Sequence, residues 1–223
     1  MTSVLETDGY KFSMAEAGWP LREETFYYCH RKGGPAVLPL DIPKFIRSKM
    51  PFRTRQEEVY LESQEYSLGI GALAALQAHD LVKIWALPQY SIFYPGEPVF
   101  TITGPSALVS WFEPLLLQIN FAIQVATLAV SDEHSFRVQM AARNCDHEVL
   151  LIKEILDGMG VKAPPMDGCA IEYRKAVFTA ARALVQAVED TNRIFEVGLR
   201  CASCMMMHQI AREACKEAGI KRT

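Results

Sequence analysis

Ser106 to Val130 is apolar at nearly every position, and the polar exceptions Glu113, Gln118, Asn120 and Gln124 are spread around the helix instead of forming one wet face. Such a run predicts a helix enclosed by protein. Its length would also suit a bilayer, but a mid-helix carboxylate and three side-chain amides are costly in lipid, and cationic flanks are missing. The core reading is the better one. Pro114 brings no N–H to its turn, so a kink or a restart is expected there. Upstream, Pro95-Gly96 marks a turn, Val99 to Thr103 reads as a strand, and Gly104-Pro105 ends it.

The same pattern divides the rest of the chain. Leu5 to Ala17 predicts a short helix with Thr7 or Asp8 at its N-cap, and Glu24 to Gly34 an aromatic strand delivering Arg31 and Lys32 to a glycine loop. Ile42 to Leu61, with Pro43, Pro51 and many charges, reads as loops before a helix over Gln64 to Ala78. Ile84 to Tyr94 offers two strand pieces around Pro88, as a hairpin partner for Val99 to Thr103. Two helices are expected over Ser131 to Gly160, a proline turn over Lys162 to Asp167, and a helix over Glu172 to Glu189. Arg193 to Arg200 has a buried-strand pattern, followed by a helix from Ser203 to Ala218 with Gly219 at its C-cap. The expected fold class is therefore α/β: an N-terminal α+β sandwich over 1–130, a helical insert over 131–190, and the first β-α unit of an incomplete α/β barrel over 191–223. A parallel strand needs neighbours, so the chain is expected to be the front part of something longer or to be completed by another chain.

Composition narrows the function. Half of the 223 residues are hydrophobic, enough for a sizeable core. A net charge of -3 gives no general field for nucleic acid or an anionic membrane, so a polyanionic ligand must be met locally. Glu6, Asp8 and Lys11 interrupt any signal-peptide pattern, and a cytoplasmic address is expected. Six cysteines in a chain of this size read as free thiols. Cys201, Cys204 and His208 share a helix spacing that zinc could use, against the plainer reading of a helix whose Cys and Met residues fill a core. Gly69-x-Gly71 is not a dinucleotide fingerprint, because no strand precedes it and Ala74 stands where a third glycine belongs.

Three pieces in order, Thr7-Asp8-Gly9-Tyr10-Lys11, GEPVFTITGP with WFEPLLLQINF, and FEVGLR, resemble the nicotinate phosphoribosyltransferase family, the type II phosphoribosyltransferases. The resemblance implies an enzyme that forms nicotinate mononucleotide from nicotinate and phosphoribosyl pyrophosphate in NAD biosynthesis. This is a glycosyltransferase reaction coupled to ATP hydrolysis, and so also of ligase type. It implies Mg²⁺ on the pyrophosphate, and a head-to-tail homodimer with a shared active site. Tyr10 would stack on the pyridine of nicotinate bound by the partner subunit, and Asp8 would orient that loop or cap its helix. Arg31, assisted by Lys32, would reach phosphate. Arg200 would meet the substrate carboxylate or phosphate, as the one catalytic residue expected in this chain. Without the resemblance the plainer roles are helix packing for Tyr10, solvation for Arg31 and Lys32, and a salt bridge for Arg200. Val197 departs from the aromatic residue of many relatives. The family's autophosphorylated histidine and phosphate-binding glycine loops would lie beyond Thr223, and His30, His79, His134, His147 and His208 sit in no matching motif. Two alternatives follow: a non-catalytic chain that pairs with a full-length subunit, or a phosphoribosyltransferase acting on nicotinamide.

Overall fold

The computed structural model describes residues 2–141, 146–164, 170–196 and 198–222 and divides into two compact units, Met1–Leu117 and Gln118–Thr223. The first unit runs β1 (Thr2–Ser3), α1 (Tyr10–Ala17), β2 (Glu23–Tyr28), β3 (Ala36–Val37), α2 (Ile42–Ser48), β4 (Pro51–Phe52), α3 (Arg55–Ser63), α4 (Ile70–Gln77), β5 (Lys83–Ala86), β6 (Ile92–Phe93), β7 (Phe100–Pro105) and α5 (Ser106–Leu117).

Its main sheet is antiparallel in the order β2-β7-β5, as the β-branched run from Val99 and the flanking aromatic runs require. Alternation sorts the two faces. Phe26, Ile102 and Ile84 form one cross-strand row and Tyr28, Phe100 and Ala86 the next, while Tyr27 and Trp85 on the opposite face are exposed. Two smaller pairs join β1 to β4 in parallel and β3 to β6 antiparallel. The second piece of the expected hairpin, Ile92-Phe93, therefore pairs with Ala36-Val37, and only the first piece reaches β7.

Helix α5 is the core of this unit. It packs against β7, β2, α1 and α4, and Leu108, Trp111, Phe112 and Leu115 are almost fully buried. Burial of each such side chain contributes roughly 1.5–3 kcal/mol. The stretch Ser106–Ser131 is long and apolar enough to cross a membrane, and 56% of its most apolar window is buried inside the fold, as in a core helix. The structure gives it as two helices, broken at Gln118 and not at Pro114, which is accommodated inside α5.

The segment 42–61 departs from the expected loop because its caps outweigh its prolines and charges. Asp41 accepts from the Lys44 N–H at 3.0 Å, with Pro43 in the first turn, where it needs no N–H. Thr54 and Glu57 form a reciprocal capping box on α3.

The second unit consists of α6 (Ile119–Ser131), α7 (Glu133–Ala141), α8 (Asp146–Gly158), α9 (Ala170–Ala187) and α10 (Met205–Ala218), with α10 packed on α9. Asp132 caps α7 by accepting from the Ser135 N–H at 2.9 Å, and Gly219 closes α10 in the left-handed region, as expected. Among the described residues of Arg193 to Arg200 the expected strand does not form. Phe195 makes an isolated parallel bridge to Arg222 between 3-10 turns at Thr191–Arg193 and Gly198–Cys201. A parallel strand without neighbours on both sides has nothing to complete its ladder.

Candidate functional site

The junction from Thr7 to Lys11 is bound to α5 by groups of different chemistry. The Thr7 hydroxyl donates to the Trp111 carbonyl at 3.0 Å, and the Trp111 indole N–H donates to the Val4 carbonyl at 2.7 Å. Lys11, 7% exposed, pairs with Glu113 at 3.0 Å. Phe12 meets the Tyr66 ring at 5.5 Å between centroids. Gly9 is the N-cap of α1, in place of the expected Thr7 or Asp8. A Cβ on it would stand 2.7 Å from the Tyr66 hydroxyl oxygen, so a side chain at this position makes the Tyr66 ring shift. The Asp8 carbonyl accepts from the Lys11 N–H at 2.9 Å.

Tyr10 opens α1 with 46% of its surface exposed. The Lys11 ammonium lies 4.8 Å from its ring centroid. Lys11 is the residue that sequence reasoning passed over: inside Thr7–Lys11 it reads as a solvated charge, and its partner lies about a hundred positions away.

Arg31 and Lys32 are both exposed, in the loop after β2. Gly33, at φ +112°, supplies a backbone conformation that side chains rarely adopt. The base of the loop is aromatic. Tyr28 stacks on Phe100 with centroids 5.3 Å apart and planes 3° from parallel, and His30 meets Phe93 edge-on at 5.1 Å. Burial, with a smaller contribution from Cys29, pushes the Tyr28 phenol up to about 12. Burial lowers His30, which keeps its imidazole neutral near pH 7. The His30 carbonyl accepts from the Gly96 N–H at 2.8 Å, joining this loop to the Pro95-Gly96 turn.

Asp8 and Tyr10 thus share one junction, and Arg31 and Lys32 another. Both α1 and β2 pack on α5. Arg200 belongs to the second unit, in the turn Gly198–Cys201, and its side chain lies outside the described residues, as does Val197. Beside it Glu196 is a hub. One carboxylate oxygen contacts the His208 ring nitrogen at 2.9 Å, and the other accepts from the Gly198 N–H at 2.6 Å. Burial alone would raise the Glu196 carboxyl, but the His208 and Gly198 hydrogen bonds and the charges of His208 and Arg212 outweigh it and hold the group below its ordinary range. His208 is therefore engaged with a carboxylate, while the side chain of Cys201 lies outside the described residues. Among the described residues no group of three or more His, Cys, Asp or Glu is gathered to hold a metal ion.

No family-wide sequence profile matches the chain. Individual relatives do. It is 29% identical over 142 residues to nicotinate phosphoribosyltransferase 2 of Arabidopsis thaliana, covering 58% of this chain and 25% of the relative. It is 31% identical over 137 residues to the nicotinate phosphoribosyltransferase of Rattus norvegicus, and 30% identical over 138 residues to that of Homo sapiens, each match covering 56% of this chain and 26% of the relative. This chain is similar, over more than half of its length, to nicotinate phosphoribosyltransferases. It spans about a quarter of the length of these curated relatives. The crystal structure of human nicotinic acid phosphoribosyltransferase is similar over 62% of this chain and 30% of that one, at 27% identity and a TM-score of 0.45.

Proposed function

We propose that this chain provides part of the site of a nicotinate phosphoribosyltransferase, an enzyme joining nicotinate to the ribose of phosphoribosyl pyrophosphate. The observation that carries the reading is sequence identity of about 30% to relatives of that name over more than half of the chain. Local geometry supports it. The exposed Tyr10 ring offers a face to an electron-poor pyridine, worth about 0.5–1.5 kcal/mol beyond area burial. Arg31 and Lys32 extend donors from a glycine loop toward phosphate, Arg31 as a planar fork that binds two oxygens at once. Arg200 is assigned the nicotinate carboxylate. The transfer asks the protein chiefly for positioning and charge compensation, which these side chains supply. ATP, a shared site in a homodimer, a cytoplasmic location and the sandwich-and-barrel architecture belong to this proposal. Mg²⁺ is assigned to the substrate pyrophosphate, whose charge calls for a divalent counter-ion.

A second reading is a chain that serves only by pairing with a full-length subunit. Incubating the chain alone with nicotinate, phosphoribosyl pyrophosphate, ATP and Mg²⁺ separates the two. Nicotinate mononucleotide in the mass spectrum supports the first. Its absence, with activity appearing only after a full-length relative is added and rising with this chain, supports the second.

A further inference from the structure

Arg200 sits in the turn Gly198–Cys201, and the backbone of that turn is fastened at its first residue. The Gly198 N–H donates to one Glu196 carboxylate oxygen at 2.6 Å, and the Gly198 carbonyl accepts from the Ala202 N–H at 3.0 Å. Leu199, beside Arg200 in the same turn, is buried. The other Glu196 oxygen meets His208 Nε2 at 2.9 Å, with both side chains 10% exposed. His208 belongs to the first part of α10, which packs on α9. The Glu196 N–H donates to the Arg222 carbonyl at 2.9 Å, past the end of the same helix. A Cβ on Gly198 would stand 2.5 Å from the Glu196 oxygen, so a side chain there displaces the carboxylate.

One carboxylate thus bridges α10 to the turn. Its two oxygens hold different partners, so rotating the Glu196 side chain breaks both contacts, and a buried acceptor stripped of its donors is costly. We propose that Glu196 and His208 are positioning residues for Arg200, fixing the turn from which it meets the nicotinate carboxylate and thereby setting the preference for acid over amide. This rests on the assignment of Arg200 to that carboxylate. A guanidinium is a rigid fork that pairs with both oxygens of a carboxylate only in one plane. A neutral amide offers a single acceptor and gains less from the fork, so displacing the turn costs nicotinate more than nicotinamide.

The test is calorimetric binding of nicotinate and nicotinamide to the intact chain and its variants, with the Gly198 amide proton followed by NMR. His208→Ala should weaken nicotinate about fivefold, the loss of one hydrogen bond, leave nicotinamide unchanged, and move the Gly198 amide. His208→Gln, whose side-chain amide donates to the same oxygen, should restore both. Gly198→Ala should reproduce the nicotinate loss with α10 untouched, which keeps the test open if His208→Ala does not fold. Because both act through one carboxylate, the double variant should lose no more than the worse single. Equal weakening of the two ligands, no recovery in His208→Gln, additive losses, or a shifted Gly198 amide with the preference intact would overturn the positioning role alone, provided Arg200→Ala abolishes the preference. A preference that survives Arg200→Ala refutes the carboxylate assignment and the positioning role with it.

Discussion

Lys11 shows how much one side chain carries. Removing one partner of a buried ion pair costs roughly 3–5 kcal/mol when both charges are enclosed. Because Glu113 is 26% exposed, Lys11→Ala is expected to cost less, about 2 kcal/mol in urea unfolding. The paired change Lys11→Met with Glu113→Leu should recover much of the loss, and no recovery would show that the pair does not act as a unit. Gly9→Ala should destabilise by about 1 kcal/mol through the Tyr66 clash, and adding Tyr66→Phe should relieve it. The raised Tyr28 phenol has a linked consequence. Its stabilisation is complete below the ordinary value of 10.0 and is lost as pH rises toward about 12. Ultraviolet titration should show one tyrosine ionising near 12, absent in Tyr28→Phe. At this scale the sequence showed which residue types were available, Tyr10 and Arg31 among them, but not the partner of Lys11. Ion pairs between distant positions leave no local pattern.

Among elements, the signals that were legible were periodic or capping ones. The apolar run from Ser106 announced a core helix, Gly219 announced the end of α10, and Val99 to Thr103 announced β7. Thr54-x-x-Glu57 was equally legible and was obscured by the charges around it. Thr54→Ala is expected to cost about 1 kcal/mol by loss of the capping box, measured as a shift in the urea midpoint. The segment from Arg193 to Arg200 was not legible, because a buried-strand pattern specifies a strand only when neighbouring strands are supplied. What holds that segment instead is Glu196 with His208, Gly198 and Arg212. The folded carboxyl lies below its ordinary value of 4.5, so its contribution is present above that pH and is lost as pH falls through the lower folded value. Acid unfolding monitored at α10 should lose part of its pH dependence in Glu196→Gln. An unchanged acid limb would show that another carboxylate governs it.

On the scale of the whole molecule, the similarity to nicotinate phosphoribosyltransferases was readable from three short motifs in order, whereas the architecture was readable only as a mixture of helices and strands. The chain spans about a quarter of its relatives' length, so the account rests on what its own side chains bind. The most direct measurement is equilibrium binding of nicotinate and nicotinamide to wild type, Tyr10→Ala and Arg200→Ala by calorimetry. Wild type should prefer nicotinate. Tyr10→Ala should weaken both ligands by a similar factor, about three- to tenfold, and Arg200→Ala should weaken nicotinate far more than nicotinamide. Equal losses for the two ligands in Arg200→Ala, or no effect of Tyr10→Ala on either, would contradict the assignment of ring and cation to this ligand.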